Sequence, residues 1–341
     1  MLLDEWQEVP GVLGAVKRAV DAAHTPGRFI LTGSVHAELN VATWPRTGRI
    51  IDVAMGSLTM RELVGDVSAP PFLDRIAQGS LDVPSRVEGL DLRGYIDAAV
   101  AGGYPEAVLL PSAQLRRRWF ATYVRQLMNR DALGVSPGRD PLKLRRFLMT
   151  LALNSACIVT DQALFGRIDI DRKTAHAYEG LLRDLFIAEA IPAWSHNRLK
   201  RLTQAPKRYL TDTGLTAALT GVDSAGVLRD GKVLGQLLDT FVIAQLRAEL
   251  AVSQNDPAFY HLREKSGGRE IDLIVEYAGG WVVGIEIKAS NAPDRRDARH
   301  LAWLREELGD QFIRGIVLHT GRNRWRIDER IEAIPIAAIW S

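Results

Sequence analysis

Residues 270–276 read Glu-Ile-Asp-Leu-Ile-Val-Glu and residues 281–288 read Trp-Val-Val-Gly-Ile-Glu-Ile-Lys, separated by the link Ala278-Gly279-Gly280. Both stretches alternate apolar and polar side chains, the pattern of a strand with one buried face. The Gly-containing link lets the chain reverse, so a β-hairpin is expected over 270–288. With Tyr277 opposite Trp281, Asp272 faces Glu286 and Glu270 faces Lys288. Ile271, Leu273, Val275, Tyr277, Trp281, Val283, Ile285 and Ile287 then share the other, apolar face.

Two carboxylates directly opposite repel unless something bridges them. A divalent cation would do so, because a hard ion prefers carboxylate oxygens, and Mg²⁺ is the cofactor this pair calls for. Lys288, on the same face, would then stabilise charge on an attacked phosphate, and Gly284 would leave space beside the acids. These parts suit metal-assisted phosphodiester hydrolysis, with Asp272, Glu286 and Lys288 as catalytic residues. The alternative is a solvated face whose charges stand in water. Asp239, in a helix expected over 235–250, shares a side with Val242, Ile243 and Leu246 and is a further candidate metal ligand. It fits equally well at the edge of an apolar stripe.

A chain of 341 residues has room for two or three domains. With 47 % hydrophobic and 25 % charged residues, it has a globular composition. No apolar run is long enough to span a bilayer, which excludes a membrane protein. The single cysteine, Cys157, excludes an internal disulfide and a cysteine-based zinc site, and a cytoplasmic location is expected. The net charge of +2 is uneven: residues 1–110 hold 9 Lys/Arg against 14 Asp/Glu, leaving the excess of cations to the rest. Residues 116–146 alone carry nine Lys/Arg against Asp131 and Asp140. Such asymmetry permits a polyanion partner, and it equally suits an ordinary solvated surface.

From 142 to 187 the spacing predicts three helices: Leu142–Ala156, a short one from Asp161, and one from Arg172 with Asp171 as N-cap. The last two have helix-turn-helix proportions, and Arg172, Lys173, His176 and Arg183 could meet DNA. The alternative is a packing unit. Arg208-Tyr209-Leu210 is expected as a wing strand. Near the start, a helix over 11–23 lies between Leu2-Leu3-Asp4-Glu5 and the strand Arg28–Ser34, and Ile50–Val53 is a further strand candidate. Strand, helix, strand suggests part of a doubly wound α/β sheet. An apolar strand ending in Asp-Glu fits a nucleotide-hydrolysing P-loop protein, with Thr32 or Ser34 sensing the γ-phosphate. The Asp-Glu pair could equally cap the helix that follows. Gly226-x-x-x-x-Gly231-Lys232 continues with Val233, which has no hydroxyl for Mg²⁺, and is no phosphate loop.

Taken in order, Asp4-Glu5-Trp6-Gln7-Glu8-Val9-Pro10, Phe29–Ser34, Gly48-Arg49, Gly102-Gly103-Tyr104-Pro105-Glu106, Lys207–Leu215, Gly235–Val242, Glu270–Leu273 and Glu286-Ile287-Lys288 resemble a group of prokaryotic AAA-type ATPases. That group carries a C-terminal domain of restriction-endonuclease-like (PD-D/E-x-K) fold. The resemblance implies a multidomain α/β protein: a truncated P-loop AAA-type core at 1–65, a helical lid at 66–135, a winged-helix-like domain at 136–215 and a nuclease-like α/β domain at 216–341. It implies Walker B positions for Asp4 and Glu5, the first sensor for Ser34, nuclease-motif positions for Asp272, Glu286 and Lys288, and a homo-oligomer. Two departures stand out. No Walker A segment precedes Met1, so the chain as given is not expected to bind ATP. Asp239 stands where the family has a glutamate, one methylene longer. The expected function is Mg²⁺-dependent nucleic-acid hydrolysis; the alternatives are a non-catalytic DNA-binding or regulatory protein, or an ATPase whose true start lies upstream.

Overall fold

The computed structural model describes residues 1–9, 11–23, 25–33, 50–64, 67–78, 81–128, 140–166, 168, 170–197, 201, 204–264 and 268–341. At the N-terminus, β1 (Leu2–Leu3) pairs in parallel with β2 (Ile30–Leu31), and α1 (Val12–Ala22) crosses between them. Leu13 and Val16 of α1 are buried against Leu3, Trp6, Phe29, Leu31 and Ile50. This is the expected strand–helix–strand. The strand candidate at Ile50–Val53 has no strand pairing, and Ile51 is 91 % exposed. Gly48 and Arg49 lie outside the described residues, as does Ser34.

The middle of the chain contributes helices α2 (Leu92–Ala101), α3 (Ala113–Gln126) and α4 (Pro141–Leu153). After α4 come β3 (Cys157–Ile158), α5 (Asp161–Phe165), α6 (Arg172–Asp184), β4 (Ala188–Ile191), β5 (Lys207–Leu210) and α7 (Thr213–Thr220). The starts of these helices were legible because short polar side chains satisfy the free N–H groups of a first turn. Asp171 accepts from Thr174 N at 2.9 Å, and Asp140 accepts from Leu142 N at 2.8 Å with Pro141 in the first helical position. Strands β3, β5 and β4 form a three-stranded antiparallel sheet, with the expected wing strand β5 at its centre.

The C-terminal part is a six-stranded mixed sheet. Helix α8 (Gly231–Glu249) precedes β6 (Ala258–Arg263), β7 (Glu270–Glu276) and β8 (Val282–Lys288). Helix α9 (Arg299–Leu308), β9 (Phe312–His319), β10 (Trp325–Asp328) and β11 (Ile331–Pro335) follow. The order is β10-β11-β9-β8-β7-β6, with β11, β9 and β8 mutually parallel. The hairpin has the expected register: Leu273 pairs with Ile285, Ile274 with Gly284 and Val275 with Val283.

Both faces of the hairpin are covered, which the alternation did not suggest. Leu273, Val275, Val283 and Ile285 pack against Val242 and Leu246 of α8, while Ile274 and Val282 pack against Leu301 and Leu304 of α9. A Cβ on Gly284 would lie 2.7 Å from Leu301 Cδ2, so this glycine lets α9 approach the sheet and leaves no space beside the acids. Trp281, expected on the apolar face, is 47 % exposed at the turn.

The segment expected as a lid is divided by its packing. Phe72, Leu73, Ile76, Tyr95 and Ile96 belong to the same apolar core as α8 and the large sheet, whereas Phe120 and Val124 of α3 pack with Leu144 and Phe147 of α4. Polar ties reinforce the first group: Ala337 N donates to Tyr95 Oη at 3.0 Å, and Arg75 donates to the Ala338 carbonyl at 2.6 Å. The Gly-Gly-Tyr-Pro and Thr-Asp-Thr-Gly motifs are one junction. Buried Asp212 caps α7 through Leu215 N (2.8 Å) and accepts from Gly103 N (2.8 Å). Gly102 has φ +72°, and a Cβ there would sit 2.9 Å from Gly214 N, so glycine is required on two counts.

Candidate functional site

The β7–β8 ladder ends at Leu273 and Ile285, and beyond it the carboxylate of Asp272 takes the place of a backbone acceptor: Ile287 N donates to Asp272 Oδ2 at 2.9 Å. Two lysines meet the acids here. Lys288 Nζ lies 2.6 Å from Glu286 Oε2 and 3.9 Å from Asp272 Oδ2. Lys207, reaching in from β5, donates to Asp239 Oδ2 at 2.5 Å and lies 3.6 Å from Asp272 Oδ1. Tyr209, two residues along the same strand, donates to Asp239 Oδ1 at 3.0 Å. On the α9 side, His300 Nδ1 is 2.6 Å from the Glu270 carbonyl and 3.9 Å from Glu286 Oε1. The fold thus brings together all four C-terminal residues singled out from the sequence, and adds Lys207, Tyr209 and His300.

Burial sets the electrostatics: Lys207 is 2 % exposed, Glu286 4 % and Asp239 8 %. Burial opposes the Lys207 ammonium, but Asp239, Tyr209 and Asp272 outweigh it and hold its pKa well above the ordinary lysine value. Burial likewise opposes the Asp272 carboxylate, yet Lys207, Lys288 and the Ile287 N–H bring it below the usual range. Burial pushes Asp239 up to about 6. Burial, then the neighbouring Asp272 charge, raises Glu286 well above the glutamate range. Each of the three acids has the ammonium of Lys207 or Lys288 within ion-pairing distance.

The residues do not fit a divalent metal as they are arranged. The ammonium of Lys288 lies between Glu286 and Asp272, the pair a bridging cation would have to join, and that of Lys207 lies between Asp239 and Asp272. Among the described residues no group of three or more His, Cys, Asp or Glu side chains converges as a metal site requires. One feature points the other way: Glu286 Oε1 is buried without a hydrogen-bond partner.

The other candidates lie elsewhere. Asp4 accepts from Thr32 Oγ1 at 2.5 Å and from Glu5 N at 3.1 Å, and both acids are exposed at the strand ends. Thr32, the other sensor candidate, is thus the residue beside Asp4. On α6, Arg172, Lys173, His176 and Arg183 are exposed, and acids accompany two of them: Arg172 and His176 lie 3.7 and 3.5 Å from Asp161, and His176 lies 3.8 Å from Glu179. Arg208 of β5 pairs with the same two acids, each at 2.7 Å. Lys207 escaped the sequence reading because it lies 65 residues before Asp272. The available signal was a lysine in a short strand flanked by Tyr209 and Leu210.

Comparison with known proteins matches three families to successive parts of the chain: an AAA domain over residues 1–64, a domain of unknown function (DUF8612) over 92–226, and a second domain of unknown function (DUF4143) over 234–339. The first and last support an AAA-type family. Uncharacterized proteins of Mycobacterium tuberculosis and Mycobacterium bovis are each 27 % identical to this chain over 335 residues, which is 98 % of this chain and 67 % of theirs. The crystal structure of protein VC1899 from Vibrio cholerae aligns at 13 % identity and a TM-score of 0.21, covering 74 % of this chain and 60 % of that one, a likeness too slight to bear on the fold. Among the described residues, no helix is long and apolar enough to cross a membrane.

Proposed function

We propose that this chain is an ATPase-like protein of AAA type whose C-terminal sheet does not cut nucleic acid but serves as the receptor for the middle of the chain. The observation that carries this reading is Lys207. It belongs to the three-stranded sheet, yet its ammonium ends between Asp239 of α8 and Asp272 of β7. The acids of a nuclease-like hairpin thereby act as a socket for an internal cation. Other contacts lie across the same boundary: Ser155 Oγ and Thr240 Oγ1 are 3.0 Å apart, Arg201 and Trp194 both donate to Glu276, and Trp194 N donates to the His261 carbonyl at 2.6 Å. A helical module fixed to a sheet in this way suits a regulatory protein, in which a change at one part is transmitted to the other.

A second reading, metal-dependent hydrolysis of nucleic acid by Asp272, Glu286 and Lys288, is favoured by the unpartnered Glu286 Oε1. It requires Lys207 to leave Asp272. One experiment separates the two: incubation of the full chain with linear duplex and single-stranded DNA in Mg²⁺ or Mn²⁺, for wild type, K207M and K288A. The receptor reading expects no metal-dependent cutting by wild type, and faster proteolysis between residues 210 and 231 in K207M. Cutting that needs the metal and disappears in K288A would replace it with the nuclease reading.

A further inference from the structure

Helix α3 carries an exposed surface of one chemical kind. Gln114, Arg117, Arg118, Thr122, Arg125 and Gln126 all face solvent, with Leu115 as the one large apolar side chain exposed among them, while Phe120 and Val124 hold the opposite side in the core. No Asp or Glu occurs anywhere from residue 107 to residue 130. A helix face that only has to be wet ordinarily intersperses both signs. Here no acid is interspersed: among the described residues, no carboxylate lies within ion-pairing distance of Arg117, Arg118 or Arg125. Among the described residues, the hydrogen bond Arg125 makes is to Thr122 Oγ1, at 3.4 Å. Arg116, in contrast, is committed to the fold through the Leu110 carbonyl at 3.0 Å.

The aromatic residues of α3 serve as its foundation. Trp119 and Tyr123 stack at 5.1 Å with an interplanar angle of 8°, and Tyr104 closes on both, its hydroxyl 3.2 Å from that of Tyr123. The cationic face is thus mounted on a packed ridge, which reduces the entropy lost when a partner binds. Arg118 and Arg125 are seven residues apart, or about 10 Å along the axis.

We infer that the exposed face of α3 docks the phosphate backbone of a nucleic acid, without base specificity. Charge complementarity identifies the partner. Guanidinium groups offer paired donors to phosphate oxygens, amide and hydroxyl groups add neutral donors, and the face presents no acid for a cationic partner and only Leu115 for an apolar one. An anionic membrane fits less well, because α3 offers no run of large exposed apolar side chains to enter lipid. Helix α4 is also free of acids, but it exposes Leu142 and Leu153 beside Lys143. On helix α6, the site suggested by helix-turn-helix spacing, Asp161 lies 3.7 Å from Arg172, while Lys173 and Arg183 have no carboxylate within ion-pairing distance among the described residues.

The test is fluorescence anisotropy of the full chain with a labelled 20-base-pair duplex over a range of salt. It compares wild type with R117A/R118A/R125A, with R172A/K173A/R183A and with R117K/R118K/R125K. Because each phosphate contact contributes roughly 0.9 to the slope of log affinity against log salt, the α3 triple-alanine variant is expected to lose about 2 to 3 from that slope and at least roughly tenfold in affinity near physiological salt. The lysine variant should retain most of the slope, and the α6 variant should change it by less than the α3 variant. An unchanged slope in the α3 alanine variant, with circular dichroism showing it folded, overturns the inference. So does a larger loss in the α6 variant, or binding confined to phosphatidylserine vesicles. The outcome is independent of whether the C-terminal cluster cuts DNA.

Discussion

At the C-terminal sheet, Asp239 of α8 and Glu286 are buried and Asp272 is partly buried, and each has an ammonium group within ion-pairing distance, supplied by Lys207 or Lys288. On α3, Arg117, Arg118 and Arg125 stand in water, and no carboxylate among the described residues answers them. The two regions differ in what an unmatched charge would cost. In the interior, an unpaired ion costs several kcal/mol, so a fold that buries acids must bury cations beside them. At the surface, water and salt screen the same charge, and it can be left unmatched at little cost to stability. Compensation inside therefore speaks of folding, and its absence outside leaves the α3 cations free for the partner inferred above.

The sharpest way to break this comparison is to remove the internal cation. K207M leaves buried Asp239 without its ammonium and partly buried Asp272 with Lys288 alone, and it is expected to destabilise the protein by about 3–5 kcal/mol in urea or guanidinium unfolding. Adding D239L to K207M should recover a large part of that loss, because an apolar pair can replace a buried ion pair. If K207M costs less than about 1 kcal/mol, the pair is not a structural latch and the receptor reading falls.

Acid imposes an unmatched interior charge without a mutation. Burial lowers His261 to about 4, aided by the positive charges of Lys207 and Arg263. Burial also lowers His319 to about 4. In the unfolded chain both titrate near 6.5. Between pH 6.5 and about 4 the unfolded state therefore binds more protons than the folded one. Stability present above pH 6.5 is lost on acidification, by the order of 3 kcal/mol per histidine. Thermal melts across that range should show a falling Tm, with a shallower fall in H319Q. An identical slope in H319Q would mean that this ring titrates normally in the folded protein.

The smallest expected effect belongs to α3. R117A and R118A should each change stability by no more than about 0.5 kcal/mol, whatever they do to nucleic-acid affinity. A loss above about 1 kcal/mol would show that these side chains serve the fold, and the contrast between the two regions would disappear.

Local information carried much of this fold. Asp171 and Asp140 marked their helices because capping is decided within one turn, and the hairpin register followed from a period of two across a short link. What covers the sheet was not legible. Leu301 against Gly284, and Tyr95 against Ala337, join residues 17 and 242 positions apart, and periodicity contains no such pairing. The expected lid and nuclease-like regions share a core for the same reason: an apolar stripe states that it will be buried, not against what.

The candidate site divides along the same line. The sequence by itself determined that Asp272 and Glu286 would be neighbours in a hairpin and that Lys288 would lie beside them, because strand geometry fixes those relations locally. It also determined that α3 would carry cations without acids. Tertiary structure decided what neutralises the acids. The cation that the hairpin required came from β5, brought to Asp239 and Asp272 by long-range packing, since a buried carboxylate is stabilised by whichever opposite charge the fold delivers to it. Tertiary structure likewise decided which basic helix remained uncompensated, because Asp161, Glu179 and Arg208 meet only once β5 lies against α6.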